Sequence, residues 1–194
     1  MSKQERPAFD RIHWLYNAYM LITNRYKIDT ITDMVGFKGD EKVVDIGGGT
    51  GYVARHIAPL CREVYIIDQS PLMLGHAEES LGMRAIAGDA LATPFEDDEF
   101  DVALLTDVLH HIKDQPKLVK EAHRILKTGG RLYIHDSDAS HWQVPIASFF
   151  EEIFAGKVYK QTLEYAEELF RSTGFEQLKK RIRGKQYFIL WRKK

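Results

Sequence analysis

A single cysteine, Cys61, stands in 194 residues. That excludes an internal disulfide framework and any zinc site built from several thiolates. Charge of one sign is also lacking: 27 Lys and Arg against 28 Asp and Glu leave a formal net charge of −1. Such a balance exerts no global pull toward nucleic acid or acidic lipid. No apolar run approaches the roughly 20 residues of a membrane-spanning helix. Lys3, Glu5, Arg6, Asp10 and Arg11 break the first residues, which therefore lack the apolar centre of a signal peptide. A reducing cytoplasm is the expected address. Internal repeats and low-complexity linkers are absent too. What remains is the composition of an ordinary globular protein, 44% apolar and 28% charged, long enough for one domain with a full core.

The richest stretch is Val43-Val44-Asp45-Ile46-Gly47-Gly48-Gly49-Thr50-Gly51-Tyr52. It reads as a buried strand ending in an acid, a glycine loop and a helix start. Glycines at 47, 49 and 51 let the backbone turn tightly and approach a ligand without a Cβ in the way. A dinucleotide fingerprint G-x-G-x-x-G would need glycine at 52, where Tyr52 stands. Asp45 would repel phosphate and attract a cationic amine. The loop thus suits a nucleoside ligand without a pyrophosphate.

From about 41 to 136, apolar runs alternate with segments of helical period, the pattern of a parallel sheet wrapped by helices. Strands are expected at 42–46, 64–68, 84–87, 100–106 and 131–135. The first is followed by a helix using Val53, Ile57 and Leu60 as its inner face and ending at Pro59. Ser70-Pro71 caps and opens another helix. Pro116 opens a third, whose Leu118, Val119, Ala122, Ile125 and Leu126 face inward and which Gly129-Gly130 stops. An amphipathic helix over 162–173, closed by Gly174, precedes an antiparallel pair, 176–182 and 186–191, turning at Gly184-Lys185. Two pieces fall outside the alternation. Residues 8–35 carry Phe9, Ile12, Tyr16, Tyr19 and Met20 at helical spacing, then a second helical stretch. Residues 137–160 form an aromatic insertion with Trp142, Phe149, Phe150, Phe154 and Tyr159. Either piece could cover the carboxyl ends of the strands, where open α/β sheets bind ligands.

In order along the chain stand Asp45-Ile46-Gly47-Gly48-Gly49-Thr50-Gly51, Asp68, Gly88-Asp89-Ala90 and Thr106-Asp107-Val108-Leu109-His110-His111-Ile112, with 92–101 leading into the fourth strand. This series resembles the class I S-adenosylmethionine-dependent methyltransferases, and within them the small-molecule group of ubiquinone/menaquinone C-methyltransferases. The resemblance covers 41–136 closely and the rest loosely. It implies one α/β domain over 1–194, a Rossmann-like doubly wound, seven-stranded mixed sheet of order 3-2-1-4-5-7-6. Its parts would be a helical cap at 1–40, the cofactor core at 41–136, an acceptor-side insertion at 137–160, and a terminal helix and hairpin at 161–194.

The cofactor implied is S-adenosylmethionine, with S-adenosylhomocysteine as product. Gly47, Gly49 and Gly51 would shape its loop, and Thr106 would adjoin it at the fourth strand end. Asp68 would accept hydrogen bonds from the ribose diol. Asp89 would accept from the adenine amino group, with the Ala90 N–H near the ring, and Asp45 would meet the methionyl ammonium. Leu72 or Met73 would either sandwich adenine or belong to the core.

The sulfonium methyl is already electrophilic, so in-line displacement mainly needs an acceptor held on axis. A base is needed only if that acceptor loses a proton. His110 and His111 stand where the methyl would sit, as base or as packing around the cofactor. Asp107 is open between site and turn. His135, Asp136, Asp138 and His141 carry ligand types for Mg²⁺ or a transition metal, but their spacing matches no defined metal motif, and no metal is expected. The acceptor expected is a small molecule, hydrophobic or aromatic. Nucleic acid is not expected, although the basic residues between Lys179 and Lys194 could dock RNA or a protein in an alternative reading. A non-catalytic cofactor-binding module is a third. The N-terminal amphipathic stretch would form a lid or, alternatively, touch a membrane; the oligomeric state is not legible.

Overall fold

The computed structural model describes residues 27–77, 83–141, 157–159 and 161–194. Seven strands form one sheet in the order β3-β2-β1-β4-β5-β7-β6. They are β1 Lys42–Ile46, β2 Glu63–Asp68, β3 Met83–Ala87, β4 Phe100–Thr106, β5 Leu126–Ser137, β6 Phe175–Arg183 and β7 Gln186–Lys193. The first five run parallel to one another; β7 is antiparallel to both β5 and β6. Among the described residues five helices flank the sheet: α1 Ile28–Val35, α2 Tyr52–Ile57, α3 Pro71–Leu74, α4 Gln115–Ile125 and α5 Leu163–Ser172.

Central strands buried on both faces read as continuous apolar runs, and β4 does. Alternate residues feed two cores. Val44, Ala103, Leu105 and Ile134 pack with Leu118, Val119 and Ala122 of α4 and Phe170 of α5. Val43, Val102, Leu104 and Tyr133 pack with Ile31 and Met34 of α1 and Val53 and Ile57 of α2. The helix starts follow the expected chemistry. Ser70 Oγ accepts from Met73 N, Asp114 caps α4 ahead of Pro116, and Thr162 Oγ1 accepts from Tyr165 N.

Two local expectations need correcting. Leu60 is 41% exposed and faces away from the core, because α2 ends at Ile57 and Pro59 lies in a separate 3-10 turn. Gly129-Gly130 does not stop α4. That helix ends at Ile125, and Leu126 already pairs with Phe100 of β4. The glycines instead allow 127–130 to bulge before pairing resumes at Val102 and Arg131: Gly129 has φ 79°, and a Cβ on Gly130 would lie 2.7 Å from the Lys127 carbonyl oxygen. The second helical stretch expected within 8–35 is α1, which packs on the sheet through Ile31 and Met34. Phe9, Ile12, Tyr16, Tyr19 and Met20, and Trp142, Phe149, Phe150 and Phe154 of the insertion, lie outside the described residues.

Candidate active site

The carboxyl ends of β1, β2 and β4 open onto one cleft holding roughly 830 Å³ of empty space, open solvent at its mouth included. Four loops line it. Gly47, Gly49 and Thr50 come from the turn after β1, and Asp68, Gln69, Ser70 and Met73 from the turn into α3. Asp89 and Ala90 follow β3, while Thr106, Asp107, Val108, His111 and Ile112 follow β4.

The glycine loop is shaped by contact. Gly47 has φ 71°, and a Cβ there would sit 2.6 Å from Val108 Cγ2. Gly49 has φ 52° and approaches the Met73 methyl group. Asp68 holds the loop from below: Gly49 N donates to Oδ2 at 3.0 Å and Ser70 N to Oδ1 at 2.9 Å. Asp89 Oδ1 accepts from Leu91 N at 2.8 Å, an Asx turn that presents the Ala90 backbone.

The sequence-predicted residues divide accordingly. Gly47, Gly49, Asp68, Asp89, Ala90, Thr106 and His111 share the cleft wall. Asp45, Gly51 and His110 do not line it. Gly51 is the N-cap of α2, against Ile66 and Ala77. Asp45 is 2% exposed beneath Gly48, and burial, then the charge of Asp68, pushes its carboxyl up to about 7. Of the two adenine candidates, Met73 reaches the cleft while Leu72 is exposed.

Two polar atoms lie in the cleft wall or just beneath it. Thr106 Oγ1 and Asp45 Oδ2 are buried with no hydrogen-bond partner among the described residues. Buried polar atoms are ordinarily paired, so orphans beside a cleft signal a missing ligand. Among the described residues the lining carries three carboxylates, Asp68, Asp89 and Asp107, and neither Lys nor Arg. That charge fits a cationic ligand with a diol and an amine and opposes a pyrophosphate. The donor set therefore fits S-adenosylmethionine.

The two histidines diverge although adjacent. Both lie in the 3-10 turn Leu109–His111, with ring centroids 4.0 Å apart and planes tilted by 46°. His111 faces the cleft; His110 turns inward, its Nδ1 2.7 Å from Asp136 Oδ1. Asp107 has φ 59°, a conformation that costs a non-glycine residue about 1–2 kcal/mol. Its N–H donates to the His135 carbonyl oxygen.

The four residues His135, Asp136, Asp138 and His141 do not come together. His135 points to the opposite face of the sheet and stacks on Phe188 at 4.5 Å. Asp138 organises a turn, accepting from Ser140 and Leu163. Only Asp136 joins a cluster, with Asp107 and His110, in which ligand-type atoms lie within 4.8 Å of one another. Gln115 and Gln161 were invisible to sequence reasoning. Gln115 Nε2 donates to the carbonyls of Leu109 and Tyr159 and to Gln161 Oε1, and Tyr159 N donates to the His110 carbonyl. No local pattern signals such a long-range clasp.

Residues 44–134 match the family model of a methyltransferase domain. The chain is 32% identical over 155 residues to 2-methyl-6-phytyl-1,4-hydroquinone methyltransferase 1, chloroplastic, of Oryza sativa subsp. japonica, covering 75% of this chain and 44% of that protein. It is 31% identical over 115 residues to the ubiquinone/menaquinone biosynthesis C-methyltransferase UbiE of Dinoroseobacter shibae, covering 55% and 46%. The chain thus spans less than half the length of these curated relatives. Among solved structures, a SAM-dependent methyltransferase of Thermotoga maritima superposes with a TM-score of 0.76 at 25% identity, covering 96% of this chain and 99% of that one.

Proposed function

Starting from a chain whose core is a class I S-adenosylmethionine-dependent methyltransferase domain, we propose that it transfers the cofactor's methyl group to a small-molecule acceptor with an aromatic or hydrophobic body. The relatives named for hydroquinone and quinone substrates support that class. So does the apolar side of the cleft, where Val108 and Ile112 adjoin His111. When bound, the cofactor supplies an electrophilic sulfonium methyl and departs as S-adenosylhomocysteine.

The protein's part is binding and orientation. Asp68 has its carboxylate fixed by two backbone N–H groups and accepts from the ribose hydroxyls. Asp89 and the Ala90 N–H take the adenine edge. Thr106 Oγ1 in the cleft wall, and Asp45 from beneath the loop, would attract the methionyl ammonium. His111 stands at the acceptor end and takes a proton where the acceptor must lose one. The observation that carries the reading is the set of three cleft carboxylates, Asp68, Asp89 and Asp107, with the loop hung on the Gly49–Asp68 hydrogen bond. Calorimetry with S-adenosylmethionine and S-adenosylhomocysteine tests it: saturable binding of both is expected, and no uptake of either ends the proposal.

Docking of RNA or protein on the basic tail is not favoured. Lys180, Arg181, Arg192 and Lys193 are paired with Glu167, Asp33, Glu176 and Asp98, and Lys179 donates to main-chain carbonyls. The cytoplasmic address is part of the proposal and rests on composition alone.

A further inference from the structure

We propose that Asp136 is a positioning residue for methyl transfer, acting through His110 on His111, the imidazole that meets an acceptor bearing an acidic hydroxyl of the phenol or hydroquinone class. The inference rests on the methyltransferase reading above.

Asp136 is completely buried at the end of β5, and its carboxylate receives three N–H groups. Oδ1 accepts from His110 Nδ1 at 2.7 Å and from Ser137 N at 2.7 Å, while Oδ2 lies 3.3 Å from His110 N. A carboxylate offers only acceptors here, so the shared proton sits on His110 Nδ1 and the tautomer is set. The same bonds fix the plane of the ring, and His111 packs against that plane. Gln115 holds the turn from α4, while Tyr159 and Gln161 close it from the other side. A proton accepted by His111 creates a cation 4.0 Å from the neighbouring ring. The groups beside His110 suit that cation: Asp107, just after β4, and Asp136 from β5 cluster with it, while Tyr187 of β7, whose hydroxyl burial keeps protonated, lies near Asp136. An imidazole held by a buried acid is a recurrent arrangement for receiving a proton without reorganisation.

The balance is simple. His111 receives the hydroxyl proton, and the freed electron pair forms the bond to the methyl carbon at oxygen, or at an adjacent ring carbon, which then loses its own hydrogen as a proton while the oxygen regains one. The pair of the breaking C–S bond stays on sulfur, and one proton is released per methyl transferred.

Two readouts test the proposal. The first needs no acceptor: nitrogen-15 spectra of histidine-labelled protein, with His110→Gln to assign the signal. A single Nδ1–H tautomer for His110 is expected in the wild type, and a mixture in Asp136→Asn. A wild-type His110 protonated only at Nε2 overturns the proposal whatever the enzyme methylates. The second uses methylhydroquinone as acceptor. Asp136→Asn is expected to lower kcat roughly 10–100-fold, part of the range general acid–base groups supply, with KM and cofactor affinity within about twofold. Unchanged kcat in a folded variant overturns it. So does wild-type turnover that stops with chelator and returns with Mg²⁺ or Mn²⁺, which would give Asp107, His110 and Asp136 to a cation. Failure of the methyltransferase reading is distinguishable, because it appears as absent cofactor binding while the tautomer signal persists.

Discussion

Asp45 lies directly under Gly48, so close that a Cβ on the glycine would come within 2.8 Å of the carboxyl carbon. The acid at the end of β1 and the loop after it are therefore one packed unit, and charge on the first is felt by the ligand held on the second. Asp68 adds to this from the neighbouring strand, its charge and the burial together raising Asp45 to about 7.

A pH dependence of stability follows. The folded state binds a proton at Asp45 up to about pH 7, while in the unfolded chain the group titrates near its ordinary value of 3.8. Between those values the native state holds more protons, so stability falls as pH rises from about 4 to 7 and is level above. Asp45→Asn should remove that slope and melt higher than the wild type at pH 8, by a stability on the order of a few kcal/mol. Thermal melts from pH 4 to 8 check this. A parallel slope in the variant assigns the dependence elsewhere.

Cofactor affinity should move the opposite way. An ammonium group favours ionised Asp45, so binding should strengthen as pH rises through about 7 and then plateau. Calorimetry at pH 6 and pH 8 is expected to differ by up to about tenfold in Kd, and the difference should vanish in Asp45→Asn.

Asp68→Asn should weaken S-adenosylmethionine binding roughly 10–100-fold, because charge-assisted hydrogen bonds are worth about 1.5–3 kcal/mol. Asparagine keeps an acceptor for the Gly49 or Ser70 N–H, so the fold should survive. Unchanged affinity in a folded variant removes the ribose role.

Gly47→Val should abolish cofactor binding and lower stability. Its φ of 71° is unfavourable for a β-branched residue, and the new Cβ would enter the Val108 side chain at 2.6 Å. Val108→Ala in the same chain relieves the clash but not the backbone strain, so partial recovery is expected in melts and calorimetry.

Glu121 anchors the approach to β4. It accepts from Thr93 N and Oγ1 and pairs with Arg124, which holds its carboxyl down at about 2. That contribution is complete above the unfolded value near 4.5 and is lost as pH falls through about 2. Glu121→Gln should lower the melting temperature at pH 7 and show a smaller loss than the wild type between pH 4 and pH 2.

How much was legible is best seen in particular residues. The glycine loop, Asp68 and the strand ends could be read because they depend on local backbone requirements that only certain residue types meet. Gly129-Gly130 misled for the same reason: glycine permits a turn without saying whether it closes a helix or bulges from a strand, and the pairing of Leu126 with Phe100 decides. His110 and His111 were indistinguishable, being neighbours of identical chemistry.

From its residues alone this chain determined the alternation of elements, the ligand-binding loop and the chemical type of the cofactor, since buried runs, caps and tight turns are short-range matters. Tertiary structure alone decided that His111 borders the cleft while His110 turns to Asp136, 26 residues on. It also sent His135 and Asp136 to opposite faces of the sheet. Those choices depend on which strands become neighbours and which face each residue shows. They are settled by packing distant segments onto the two faces of one sheet.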